Sequence, residues 1–182
     1  MLTLSFNPFP TLTTPRLTLR RLTPNYVNDL FALRSNPEAM RYIARPLAQT
    51  PDDAAKLISV IDELWERNEA INWAIALKDA DEMIGTFCFW NIQPEDHRAE
   101  IGYMLHPSHQ GVGIMQETMT AALNYGFNTM KLHSIAANVD PRNTASIKLL
   151  ERNGFTREAY FRENVFFNDQ YLDTAVYGLL AP

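Results

Sequence analysis

Two glycines one residue apart, Gly111 and Gly113, stand between a run that alternates like a strand and a run that repeats like a helix. The first run, Glu100-Ile101-Gly102-Tyr103-Met104-Leu105, breaks at His106-Pro107. The second carries Met115, Met119, Leu123, Phe127 and Met130 at spacings of four, four, four and three, which makes one apolar stripe. A helix with such a stripe packs on a sheet, so its N-terminus is held at the end of the strand before it. The first helical turn has orphan N–H donors and a partial positive charge. Glycines leave those donors unobstructed, and a phosphate can dock there. The alternative is a pair of glycines that only lets the chain turn.

The rest of the chain supplies a sheet for that helix. Arg16 to Leu22 alternates as a first strand, with Arg16 and Arg20 on its solvated side. Pro24-Asn25 opens a helix carrying Val27, Leu30, Phe31 and Leu33, closed by Pro37. Thr50 and Asp53 form a capping signature for a second helix, Pro51 to Arg67, with Ala54, Leu57, Ile58, Ile61, Leu64 and Trp65 as its buried stripe. Three strands follow with short polar turns between them: 71–77, 83–92 and 98–105. That spacing predicts an antiparallel meander. Gly85 inside the second of them predicts a bulge or a close approach to a neighbour. A strand, Leu132 to Val139, comes after the central helix, and this order is a right-handed crossover between parallel neighbours. A ligand would lie outside the carboxyl ends of that pair. Asn143 caps a last helix, Thr144 to Asn153, closed by Gly154 in the left-handed conformation. Two strands around Asn168-Asp169 complete the chain.

Length, charge and cysteine content narrow the class of function. A chain of 182 residues without linker, repeat or low-complexity segment reads as one domain, with its core at about 14–180. Net charge is −5 with no basic run, which argues against nucleic acid as a partner. No apolar run reaches the length of a membrane span. The N-terminus lacks the basic region of a signal peptide, and Pro8 and Pro10 interrupt its apolar residues. Cys88 is the only cysteine, which excludes an internal disulfide and fits the reducing cytoplasm. No activating histidine stands at a recognisable spacing from it, so it reads as a small buried hydrophobe rather than an acyl carrier. His106 and His109 share an H-x-x-H spacing but have no acidic or cysteine cluster beside them, so no metal site is expected.

Gln110-Gly111-Val112-Gly113-Ile114, between a strand and a helix, resembles the acyl-CoA-binding motif of the GNAT superfamily of N-acetyltransferases; Met115 stands where a small residue is usual. The segment from Asn143 through Ser146 and Leu150 to Gly154-Phe155 resembles the second motif of that superfamily, which lies beside the pantetheine arm. The opening Thr14-Pro-Arg-Leu-Thr-Leu-Arg-Arg-Leu22 and the Ala99-Glu-Ile-Gly-Tyr103 pattern are similar to the RimJ/RimL-like branch, whose members acetylate N-termini of ribosomal proteins or related amines. The resemblance implies an α+β fold: a central, mostly antiparallel sheet with one splayed parallel strand pair, flanked by helices. It also implies acetyl-CoA as cosubstrate and direct attack by an amine acceptor in a ternary complex. The acceptor is a protein N-terminus or a small amine such as a polyamine or antibiotic, and the protein a monomer or homodimer.

Site residues follow from the same resemblance. The backbone of Gly111, Val112, Gly113 and Ile114, with Gln110 and Met115, would hold the pyrophosphate. Met104, Leu105, His106, Asn138, Asn143 and Ser146 would flank the pantetheine and thioester, with a backbone N–H of the central strand polarising the carbonyl. Glu100 is the candidate base; the alternative is a salt-bridged strand carboxylate. Many relatives carry a tyrosine at the position of Leu150 to protonate the leaving thiolate. Its absence leaves Ser146 as the candidate acid, unless that hydroxyl only serves the helix start. Trp90 is a candidate for the acceptor pocket, and Phe89 shares that choice between pocket and core. Two other readings stay open: a CoA-binding sensor without turnover, and a plain dimerising α/β domain.

Overall fold

The computed structural model describes residues 1–182. One eight-stranded sheet runs through it in the order β1-β2-β3-β4-β5-β6-β8-β7. The strands are β1 (Leu12–Thr13), β2 (Leu17–Arg21), β3 (Ile71–Leu77), β4 (Gly85–Gln93), β5 (Arg98–Leu105), β6 (Ser134–Val139), β7 (Thr156–Phe167) and β8 (Gln170–Leu180). Four helices flank them: α1 (Val27–Arg34), α2 (Pro51–Glu66), α3 (Ile114–Asn128) and α4 (Thr144–Arg152). β2 to β5 pair antiparallel in sequence order; short turns join β3, β4 and β5, while α1 and α2 lie between β2 and β3. β5 and β6 are parallel, joined by the α3 crossover. The fold is the mixed α+β arrangement expected.

Alternation along β4 and β5 divides the sheet into two faces. Phe87 and Phe89 lie opposite Tyr103 and Ile101 and enter the larger apolar cluster, with Ile114, Met119, Ala122 and Leu123 of α3. Cys88 and Trp90 lie opposite Gly102 and Glu100 on the other face. That face is covered by α1 and α2, whose Leu30, Ala54 and Ile58 pack on Ala74. A fully buried leucine in either layer contributes on the order of 2 kcal/mol. The α2 stripe is narrower than its sequence suggests: only Ala54 and Ile58 are buried, and Leu57, Ile61, Leu64 and Trp65 lie half-buried at its margins. Its start is as expected, with the Asp53 carboxylate accepting the Thr50 N–H at 3.0 Å.

Several boundaries differ from the sequence reading. The short β1 and the N-terminal segment show no periodicity, yet Leu2 and Phe6 are buried. Tertiary donors hold that segment: the indole N–H groups of Trp65 and Trp73 bond the carbonyls of Phe6 and Pro10 at 2.9 and 2.7 Å. The first strand begins at Leu17 rather than Arg16, because Arg16 is drawn to Glu117. Gly85 is a close approach: a Cβ there would run into the Met104 carbonyl oxygen. The bulge of β4 lies elsewhere, between Trp90 and Gln93. Gly154 ends α4 with φ +87°, as expected.

Candidate active site

Pairing between β5 and β6 stops early. It covers Arg98 with Ser134, Ala99 with Ile135 and Glu100 with Ala136, while β5 continues to Leu105 and β6 to Val139. Beyond Glu100 the two strands splay, opening the sheet at their carboxyl ends. β5 stays bonded to β4 along this stretch, and the His106 N–H donates to the Ile84 carbonyl at 2.8 Å. His106 therefore has no free backbone N–H to offer a ligand. Alternation of the ladder turns the N–H groups of Tyr103 and Leu105 toward the opening instead.

The glycine arch stands at the mouth of this opening. Gly111 and Gly113 have φ of +77° and +81°, and Gly113 is the residue from which α3 starts. A Cβ at Gly111 would meet nothing within 4 Å. The left-handed turn at Gly113 faces the first-turn N–H groups of α3 away from the chain. Gln110 spans from the arch to the strand, its side-chain amide donating to the Leu105 carbonyl at 3.1 Å. Val112 is 59% exposed at the apex. Met115 is half-buried against the core. His106 turns its ring Nδ1 to the Ser108 hydroxyl, 2.7 Å away.

An ion pair braces the arch from behind. Arg16 donates from Nε to a Glu117 oxygen at 2.6 Å and from its guanidinium to the Val112 carbonyl at 3.0 Å. The Arg16 backbone N–H donates to the other Glu117 oxygen at 2.9 Å. Desolvation pushes the Glu117 carboxyl up, but the Thr14 hydroxyl and the Arg16 donors outweigh it and hold it below the usual carboxylate range. Arg16 is thus no free solvated side chain, as its strand alternation suggested.

Glu100 sits where the strands part, on the face covered by α1 and α2. Asn91 Nδ2 donates to one of its oxygens at 2.6 Å and Asn138 Nδ2 to the other at 3.0 Å. The β4 bulge turns Asn91 toward the carboxylate, with φ +45°. Each oxygen retains acceptor capacity for a further donor. Asn138, from the neighbouring β6, thus helps to fix Glu100. Trp90 lies directly across from Glu100 and is 42% exposed, whereas Phe89 is in the core.

On the opposite face, Tyr103 Oη stands 2.7 Å from Ser146 Oγ. The ring stacks on Phe87 at 6.1 Å and 10°. Burial pushes the Tyr103 phenol up to about 12, and its bond to Ser146 opposes that only in part. Asn143 Oδ1 accepts the Ser146 N–H at 3.1 Å, which caps α4 and fixes the serine. Leu150 is fully buried. A phenol therefore does stand at this end of α4, delivered by β5 rather than by the helix. The cue was available in the odd position of Tyr103 on a strand that ends at the splay, but nothing local pairs it with a serine 43 residues on. Cys88 keeps some surface, yet desolvation pushes its thiol up to about 12 against the Gly102 backbone and the Arg45 charge.

A parallel strand pair is opened at its carboxyl ends, with the glycine-led N-terminus of α3 at the mouth, where the free N–H groups of a first helical turn suit an anion. Residues 16–156 match the family described as Acetyltransferase (GNAT) domain. The chain belongs to this family and is an N-acetyltransferase. It is 34% identical to the uncharacterized N-acetyltransferase YoaA of Bacillus subtilis over 174 residues, covering 96% of this chain and 98% of that one. It is 29% identical to the [ribosomal protein uS5]-alanine N-acetyltransferase of Escherichia coli, with 92% and 91% covered. Among solved structures it matches spermidine N-acetyltransferase from Vibrio cholerae in complex with CoA and spermine, with a TM-score of 0.81, 25% identity, and 92% and 96% covered.

Proposed function

We propose that this protein transfers an acetyl group from acetyl-CoA to the primary amine of a peptide N-terminus, by direct attack in a ternary complex. The observation that carries this reading is the splay of β5 from β6 after Glu100, with the α3 N-terminus at its mouth. The Gly111–Ile114 backbone holds the pyrophosphate there, and the α3 dipole complements its charge. The N–H groups of Tyr103 and Leu105 polarise the thioester carbonyl as it gains charge. Glu100, held by two asparagine amides, takes a proton from the acceptor ammonium, directly or through one water. The amine nitrogen bonds to the carbonyl carbon, the carbon–sulfur bond breaks, and the Ser146–Tyr103 pair supplies a proton to the leaving thiolate.

Glu100 and Tyr103 project from opposite faces of one strand. The acceptor thus arrives from the α1–α2 side while the sulfur leaves toward α4. Likeness to a ribosomal-protein alanine acetyltransferase supports a peptide N-terminus as acceptor. The test is calorimetric titration with acetyl-CoA followed by a thiol-release assay over N-terminal peptides and small amines. Binding with release to peptides is the expected result. Release to polyamines alone would assign a small-molecule acceptor, and binding without release to any amine would assign a sensor.

A further inference from the structure

A groove of about 570 Å³ opens on the acceptor side, between the segment joining α1 to α2 and the β7–β8 turn. Arg41, Arg45 and Arg142 line it, and Asp140 is its only acidic residue. The Asp140 carboxylate is already engaged, accepting Arg142 Nε at 2.9 and 3.2 Å. Arg41 and Arg45 are exposed and pair with no carboxylate. The groove is therefore cationic in a chain whose net charge is −5. It is also close to the chemistry. Asp140 follows Asn138, the amide that holds Glu100, by two residues, a reach of about 7 Å.

A fourth arginine joins groove and reaction face. Arg34, at the end of α1, points its Nη1 at Met104 Sδ, 3.5 Å away on the β5 face that carries Glu100. Burial, and then the like charge of Arg45, push the Arg34 guanidinium down. A half-buried Arg34 beside the charge of the exposed Arg45, with no carboxylate paired to either, favours the arrival of an anion. Guanidinium forks match carboxylates bidentately. Tyr42, Phe167 and Leu172 add apolar walls suited to a side chain rather than to an ion alone.

We infer that this groove binds an anionic group of the acceptor, so that the enzyme selects peptide N-termini bearing aspartate or glutamate in their first residues and disfavours polyamines. The inference rests on the acetyl-transfer reading and names the acceptor class for it. A polyamine would place two or more positive charges against these arginines.

The test compares an N-terminal peptide containing glutamate at positions two and three with its glutamine counterpart, with spermidine, and with free glutamate. The expected kcat/KM for the acidic peptide exceeds that of the glutamine peptide by about tenfold, carried in KM and reduced by added salt. Arg45→Glu, combined with Arg41→Glu, should remove or invert the preference, while Arg45→Lys, which keeps the charge but not the fork, keeps only part of it. The acetyl-CoA Kd should be unchanged in both variants. A calorimetric titration of the same peptides into CoA-saturated protein reads the groove without turnover. Tighter binding of the acidic peptide, lost in the double variant, supports the groove even if no thiol is released, in which case only the transfer reading fails. Equal binding of the two peptides, an unaffected double variant, or a preference for spermidine would overturn the inference. Free glutamate matching the acidic peptide would overturn the peptide assignment.

Discussion

Tyr103 of β5 and Ser146 of α4 share a hydrogen bond of 2.7 Å across the splayed end of the sheet. In the GNAT family a tyrosine often occupies the helix position that is Leu150 here, and Leu150 is fully buried in this chain. The phenol comes from the strand instead, with the serine between it and the helix start.

Removing either hydroxyl should slow product formation. Tyr103→Phe and Ser146→Ala should each lower kcat by about 10- to 100-fold while acetyl-CoA affinity stays within about twofold. The double variant should be little worse than either single one, since the two act as a unit. Independent, multiplicative losses would separate them. Because the phenol is pushed up to about 12, kcat should show no loss of this acid below about pH 10.

Glu100→Gln keeps the shape and one of the two acceptor oxygens that Asn91 and Asn138 now occupy, while removing the proposed base. Its kcat should fall by about 100-fold with acetyl-CoA binding unchanged. Asn138→Ala should give a smaller loss, of about threefold to tenfold, by freeing the carboxylate to rotate. An unchanged kcat in Glu100→Gln across the pH range would remove Glu100 from the chemistry.

At the arch, Gly113 combines φ +81° with the start of α3. Gly113→Ala introduces strain of about 1 kcal/mol and should weaken acetyl-CoA binding several-fold. Gly113→Glu adds a like charge where the pyrophosphate would sit and should abolish measurable binding. A thermal melt showing a folded variant separates this from unfolding. Retained affinity in the folded Gly113→Glu protein would reject the arch as the phosphate site.

The brace behind the arch is sensitive to acid. The Glu117 carboxyl is held below its ordinary value of 4.5 in the folded protein. Its contribution to stability is therefore complete above that value and is lost as pH falls through the lower folded value. Glu117→Gln should melt below the parent at pH 7, and the gap between the two melting temperatures should close as pH falls below the ordinary carboxylate value of 4.5. A constant gap over that range would show that the carboxylate charge carries no stability.

Much of the fold was legible because strong local patterns agreed with one another. The α3 stripe, the Thr50–Asp53 cap and the parallel crossover need only neighbouring residues to declare themselves. Glu100, Ser146 and the Gln110–Ile114 arch were legible as candidates because they sit in contiguous motifs. What stayed hidden was held by contacts between distant residues. Arg16 looked like any strand arginine until Glu117, 101 residues away, was placed beside it. Asn91 could be found only once the β4 bulge had turned it. The burial of Leu2 and Phe6 depends on tryptophan donors from α2 and β3, and the cationic groove on loops that carry no period at all.

The desolvated state of Cys88 has a practical consequence. With its thiol pushed up to about 12, roughly one molecule in ten thousand carries the thiolate at pH 8. It is the only cysteine in the chain, so the folded protein is nearly silent toward disulfide-exchange dyes. Colour that develops in a reaction containing the enzyme, acetyl-CoA and an acceptor therefore reports free CoA against a flat protein background. Slow turnover thus becomes readable without engineering the cysteine away.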